Sequence, residues 1–160
     1  MRARGFTMVE LIVIMVLLGI MAAIAVPRLI GNGERGAQVF GDQLVAGLRL
    51  ADTAARAHRR VVCAMLGAKA LTLRIADTNP ASGTPPCARP LPNAPDADFA
   101  TTDPDVAASG LSGALYFQPN GDISTDLAGT TLLGNAGIKV SAQGVVQRTI
   151  TLEGSTGYVE

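Results

Sequence analysis

The feature that most constrains this chain is its first apolar stretch. From Leu11 to Val26 there is no charged residue, and from Phe6 to Val26 the only one is Glu10. As a helix rising about 1.5 Å per residue, the stretch covers about 30 Å, the thickness of a bilayer core. A core helix shows a polar face, and this one shows none. A discarded secretory signal is the alternative reading, because Ala22-Ala23-Ile24-Ala25 resembles a small-residue cleavage site. The opposite end argues for a retained helix. The basic leader is only Met1-Arg2-Ala3-Arg4-Gly5, and an acid follows five residues later, inside the apolar run. A carboxylate at membrane depth costs on the order of 2–3 kcal/mol and marks a functional position. Were the chain cut after Gly5, the new amine of Phe6 would be a cationic partner for such an acid. Phe6 and Glu10 sit about a turn apart on one rigid helix, so the amine of a neighbouring copy is better placed to reach the acid.

The segment Gly5-Phe6-Thr7-Met8-Val9-Glu10-Leu11 resembles the prepilin processing motif of type IV pilins and type II secretion pseudopilins. The resemblance implies cleavage between Gly5 and Phe6 by a prepilin peptidase/methyltransferase, which then methylates the Phe6 amine. It implies that the apolar helix is kept, and that Glu10 pairs with a neighbouring subunit's terminus during assembly. Gly19 and Pro27 match the family's helix-loosening positions, and a kink is expected at Pro27, which lacks a backbone N–H. Arg2 and Arg4 place the leader on the cytoplasmic side. The chain is then a single-pass protein of the bacterial inner membrane with a periplasmic head, later part of a periplasmic or surface fibre. The partners implied are other pilin or pseudopilin subunits, an inner-membrane assembly platform and membrane lipid. Loss of Arg2 and Arg4 from a chain with 13 basic and 13 acidic side chains leaves the mature protein mildly acidic.

The expected organisation follows: a cleaved leader 1–5, a transmembrane and assembly helix 6–30, a soft glycine segment with an amphipathic helix over 31–60, and a β-rich head 61–160. Gly31-Asn32-Gly33-Glu34-Arg35-Gly36 fits G-x-G-x-x-G, but no strand precedes it, so a nucleotide fingerprint is not supported. Three glycines instead weaken the helix, each by about 1 kcal/mol relative to Ala. From Ala37 to Arg60, Phe40, Leu44, Leu48, Ala51 and Ala55 recur at helical spacing with Val45 and Gly47 beside them. His58, Arg59 and Arg60 close that helix with charge favourable to its carboxyl end. Arg56, Arg59 and Arg60 are also the candidate DNA contacts of an alternative reading, a DNA-binding minor pilin for uptake.

Beyond residue 60 the pattern turns extended, with strands at 61–66, 70–75, 114–118, 138–141, 145–152 and 158–159. Asn120-Gly121 signals a tight turn, Gly134 and Gly137 bound another, and 77–110, with seven of the nine prolines, reads as a long loop. The expected fold class is α+β: a long N-terminal helix, half membrane and half amphipathic, packed on an antiparallel β-sheet. Residues 117–123 and 149–159, with the step Arg59-Arg60-Val61-Val62-Cys63, resemble the H-type minor pseudopilins and their pilus counterparts (GspH/FimT-like). The carboxyl-terminal cysteine pair of many major pilins is missing, which favours a minor subunit.

In an oxidising periplasm Cys63 and Cys87 are expected to pair, worth roughly 3 kcal/mol by loop closure; two free thiols are the alternative. Asp96, Asp98, Asp103 and Asp105 cluster in the loop, but their spacing matches no EF-hand. The chain has one His and none of the common hydrolase, zincin or phosphate-loop motifs, so neither an enzyme nor a cofactor or metal is implied.

Overall fold

Helix α1 (Met8–Ile30) starts where Thr7 caps it. The Thr7 hydroxyl accepts the Glu10 N–H at 3.3 Å and the Thr7 carbonyl accepts the Leu11 N–H at 3.2 Å. Thr and Glu three positions apart have the spacing of a capping box. The computed structural model describes residues 7–30 and 32–160, with side chains described for 7–24 and 33–160. The junction Gly5–Phe6, Arg2, Arg4 and the Pro27 side chain therefore lie outside the described residues. Along α1 no side chain from Thr7 to Ile24 is buried, and 13 large apolar residues are exposed, from Ile14 at 41% to Met8 at 82%. Among the described residues no helix is long and apolar enough to cross a membrane. The segment expected to do so, 6–30, runs past the described side chains at both ends.

The chain divides into two units, Met1–Asn32 and Gly33–Glu160. In the second, helix α2 (Asn32–His58) begins five residues before the expected Ala37. Gly33 and Gly36, expected to soften the segment, are helical. A Cβ at Gly36 would lie 2.7 Å from Asp103 Oδ2 and 3.3 Å from Val106 Cγ2. At Gly47 it would lie 2.8 Å from Leu71 Cδ2 and 2.9 Å from Phe99 Cδ1. These glycines let the helix approach the strands closely, and the packing gained outweighs their poor propensity. The expected stripe is realised: Phe40, Leu44, Leu48, Ala51 and Ala55 are at most 1% exposed. The helix ends in a Schellman motif, with Arg60 N–H bonded to Ala55 O and Arg59 N–H to Arg56 O. Arg59 takes the left-handed position, φ 53°, that glycine usually fills.

The stripe packs on two antiparallel sheets, where a single one was expected. Strands β1 (Val62–Leu66), β2 (Leu71–Ile75), β3 (Arg89–Pro90), β5 (Ala114–Phe117) and β6 (Ile123–Ser124) form the first, in the order β3-β2-β1-β5-β6. Strands β4 (Val106–Ser109), β7 (Asn135–Ala142), β8 (Val145–Glu153) and β9 (Tyr158–Val159) form the second, in the order β4-β7-β8-β9. Alternation sets the buried faces: Leu71, Leu73 and Ile75 from β2, Ile150 and Leu152 from β8. Gly137, expected in a turn, pairs with Thr151 inside β7, which starts three residues earlier than expected. The segment 77–110 is more ordered than a loop. It supplies β3, a 3-10 turn (Asp96–Phe99) and β4, and it buries Leu91, Ala94, Phe99, Val106 and Ala108. Its buried apolar residues fall at irregular intervals among and beyond the prolines, which hides them from a periodicity test.

Candidate functional site

On α1 the functional candidate is Glu10. It is exposed and sits three positions after the cap, where the N-terminal partial charge of the helix favours a carboxylate. Thr7, which fixes that first turn, was not singled out from the sequence, although the Thr-x-x-Glu spacing was there to be read. Gly19 lies mid-helix with open space around its Cβ position, and α1 is helical through Pro27.

In the head, Cys63 on β1 and Cys87 form a disulfide, with Cα atoms 6.1 Å apart and a sequence separation of 24. Both cysteines are buried and pack with Val61 and Ala76 in a small satellite core. The bond ties the proline-rich segment to the centre of the first sheet.

The three candidate arginines are not equivalent. Arg56 Nε donates to Asp52 Oδ1 at 3.0 Å and its Nη2 donates to the Thr156 carbonyl at 3.2 Å. Its guanidinium also lies against Gly121, in the turn between β5 and β6, where a Cβ would approach Nη2 to 2.6 Å. One side chain thus joins α2 to a turn of each sheet. Gly157 completes the junction: its φ is +69°, and a Cβ there would collide with the Gly121 carbonyl oxygen. Arg59 acts through its backbone, its carbonyl accepting from Asn79 Nδ2 at 2.7 Å. The side chains of His58 and Arg59 are exposed and that of Arg60 is half-buried. An open groove of about 540 Å³ beside this junction is lined by Arg49, Asp52, Arg56, Glu153 and Tyr158.

The four loop acids do not converge. Asp96 forms a two-bond pair with Arg74, at 2.8 and 2.7 Å, and the guanidinium holds its carboxyl below the usual range. Asp103 accepts the Asp105 N–H at 3.0 Å. Among the described residues no group of acidic, His or Cys side chains could hold a metal ion. Asp126 is held low by the backbone N–H groups of Thr131 and Thr130, in the turn that follows β6. Tyr158 donates to Glu160 Oε2 at 3.0 Å, and that bond raises its pKa.

Residues 1–26 match the family model described as the prokaryotic N-terminal methylation motif. Over 51 residues the chain is 43% identical to the type IV narrow pilus major component PilA5 of Thermus thermophilus, covering 32% of this chain and 44% of that protein. Over 34 residues it is 50% identical to the type II secretion system core protein G of Klebsiella pneumoniae, covering 21% of this chain and 24% of that protein. The same identity and length hold for core protein G of Dickeya chrysanthemi. The chain thus spans less than half the length of the curated relatives it matches. No solved structure matches it. Motif and relatives together support the pilin and pseudopilin superfamily.

Proposed function

We propose that this chain is a minor pilin-like subunit, processed between Gly5 and Phe6, methylated on Phe6, held in the bacterial inner membrane and then assembled into a type II secretion pseudopilus or a type IV pilus. The observation that carries the reading is the all-round apolar exposure of α1 with one acid on its first turn. Full burial of a large apolar side chain is worth about 1.5–3 kcal/mol, so covering what is exposed of these 13, which are 41–82% exposed, is worth roughly 10–25 kcal/mol. Such a helix is stable only under lipid or among other apolar helices, and the two states are before and after assembly. Glu10 makes the second state specific. A lone carboxylate disfavours the bilayer, and pairing with a neighbour's amine offsets that cost only at one axial register.

Minor status, of the H type, is supported by the resemblance of 117–123 and 149–159 to that group. In the fold these two stretches meet at Arg56, so they form one structural unit. The head then serves as a rigid body presented by the fibre. A DNA-binding reading would rest on the side chains of Arg59 and Arg60, since Arg56 is committed to Asp52 and Thr156; no observation favours it over assembly.

Glu10→Ala tests the proposal. The variant is expected to be processed and to remain in the membrane fraction while failing to appear in sheared fibres. Wild-type incorporation of the variant would refute the role given to Glu10.

A further inference from the structure

A pocket of about 280 Å³ lies on the side of the first sheet that carries the satellite core, between the proline-rich segment and the turn that follows β6. Its floor is Val61 and Gln118, both buried, and its rim is exposed Asn79, Pro80 and Ala128. Ala81 and Leu127 complete the walls, and both pack against the satellite core that contains the disulfide. None of the residues lining the pocket is charged or aromatic.

Gln118, which follows β5, is only 9% exposed, and the polar atoms of a side chain buried to that degree are ordinarily all bonded. Its Nε2 donates to Ser124 Oγ at 2.9 Å and to the Leu127 carbonyl at 3.3 Å. A carbonyl only accepts, so that end of the amide is nitrogen and both of its donors are taken. Ser124 is satisfied in turn by the carbonyls of Asp126 at 2.8 Å and Tyr116 at 3.3 Å. Gly129, at φ +75°, closes over the amide so tightly that a Cβ there would lie 3.0 Å from Gln118 Cδ, which holds the amide in place. Among the described residues nothing donates to Gln118 Oε1, and no fully enclosed side-chain oxygen is left unpaired, so this oxygen opens onto the pocket. Asn79 repeats the pattern at the rim: its Nδ2 donates to the Arg59 carbonyl at 2.7 Å, which leaves Oδ1 as a second acceptor.

We propose that this pocket binds an extended, uncharged peptide segment of another protein, taking one aliphatic side chain against Ala81 and Leu127 and accepting a backbone N–H at Gln118 Oε1. The lining selects that chemistry. Without a charge it offers no counter-ion to a phosphate, carboxylate or ammonium group. Without an aromatic ring it lacks a platform on which bases stack, and a sugar would bury hydroxyls against walls of Val, Pro, Ala and Leu. Both free polar atoms are acceptors, so the ligand supplies donors, and a peptide carries one N–H per residue beside its side chain. The pocket is smaller than those that enclose a drug-sized ligand and suits one or two residues of a chain that continues outside it. Because both walls rest on the satellite core, binding orders little that is not already fixed. The inference holds whichever fibre the subunit enters.

The test uses the full chain in lipid nanodiscs, isotope-labelled so that side-chain amides are read by NMR. The probe is N-acetyl-leucine methylamide, which joins one aliphatic side chain to peptide N–H donors. Its control is the same compound methylated on every amide nitrogen, which keeps the apolar body and has no donor. The probe is expected to shift the Gln118 Nε2 resonances saturably in the millimolar range, as suits a ligand of so few atoms. The control is expected to bind about tenfold more weakly, the loss of one hydrogen bond to a buried acceptor. Ala128→Phe fills the pocket from its exposed rim and should abolish binding, while Val145→Phe, an exposed position on β8, should leave it unchanged. Backbone resonances of β7 and β8 that keep their wild-type positions in Ala128→Phe show that the head is folded. The proposal is overturned if the probe gives no saturable shift up to its solubility, if the methylated control binds as tightly as the probe, or if Ala128→Phe retains binding.

Discussion

Removing the disulfide should cost the head a large and calculable share of its stability. The bond closes a segment with a sequence separation of 24 residues. In the chain-entropy treatment that loop restricts the unfolded chain by about 3.5 kcal/mol at 25 °C. Both cysteines are buried, at 5% and 8% exposure, so substitution by Ala also leaves a small void in the satellite core around Val61 and Ala76. The expected loss for Cys63→Ala/Cys87→Ala is therefore about 3–4 kcal/mol, out of the 5–15 typical of a domain this size. In thermal terms the shift is about 10–15 °C. The head, residues 33–160, unfolded in urea and followed by far-UV circular dichroism, provides the assay, since the chain has no Trp. A midpoint lowered with little change in slope would place the effect in stability rather than in denatured-state compactness. A loss under about 1 kcal/mol would refute the reasoning, because it would mean that 77–87 is already held by burial of Leu91 and Phe99 and that the bond restricts nothing further.

Three other outcomes are expected. Arg59→Gly should stabilise the head by about 0.5–1 kcal/mol in the same urea assay, as relief of the left-handed backbone exceeds the added unfolded-chain entropy; destabilisation would mean that the Arg59 side chain carries structural weight. Gly157→Ala should destabilise by about 2 kcal/mol or more, because φ +69° and the Gly121 carbonyl both oppose a Cβ. Asp96 and Asp126 are lowered in the folded state, so the stability they supply is present above the unfolded carboxylate value and lost as pH falls through the folded one. The urea midpoint should fall below about pH 4, and Asp126→Asn should flatten part of that fall; a midpoint that rises on acidification would contradict both assignments.

Where one residue type has one local consequence, the sequence was readable. The stripe Phe40, Leu44, Leu48, Ala51, Ala55 predicts the buried face of α2, and Asn120-Gly121 predicts its turn. Cys63 and Cys87 could be paired because only two cysteines exist. Features set by distant partners were not legible. Gly33 and Gly36 read as residues that weaken the helix, since nothing local shows that Ala142 will pack against the first and Asp103 and Val106 against the second. The split into two sheets depends on which strand finds which neighbour, and alternation within a strand is silent on that. Strand β4 was lost in a proline-rich stretch whose average composition resembles a linker. The reach of Lys69 from its turn to three backbone carbonyls has no local signal, because those acceptors lie 34 to 37 residues further along.

The junction at Arg56 bears on how the head would carry load. In the fibre proposed above, any force that reached the head along α2 would meet this contact. The guanidinium contacts a turn of each sheet near the far end of that helix, and tension on the helix is shared between both layers. Two sheets that pair with different neighbours would otherwise shear past one another, and a single cation spanning helix and both turns resists that slip.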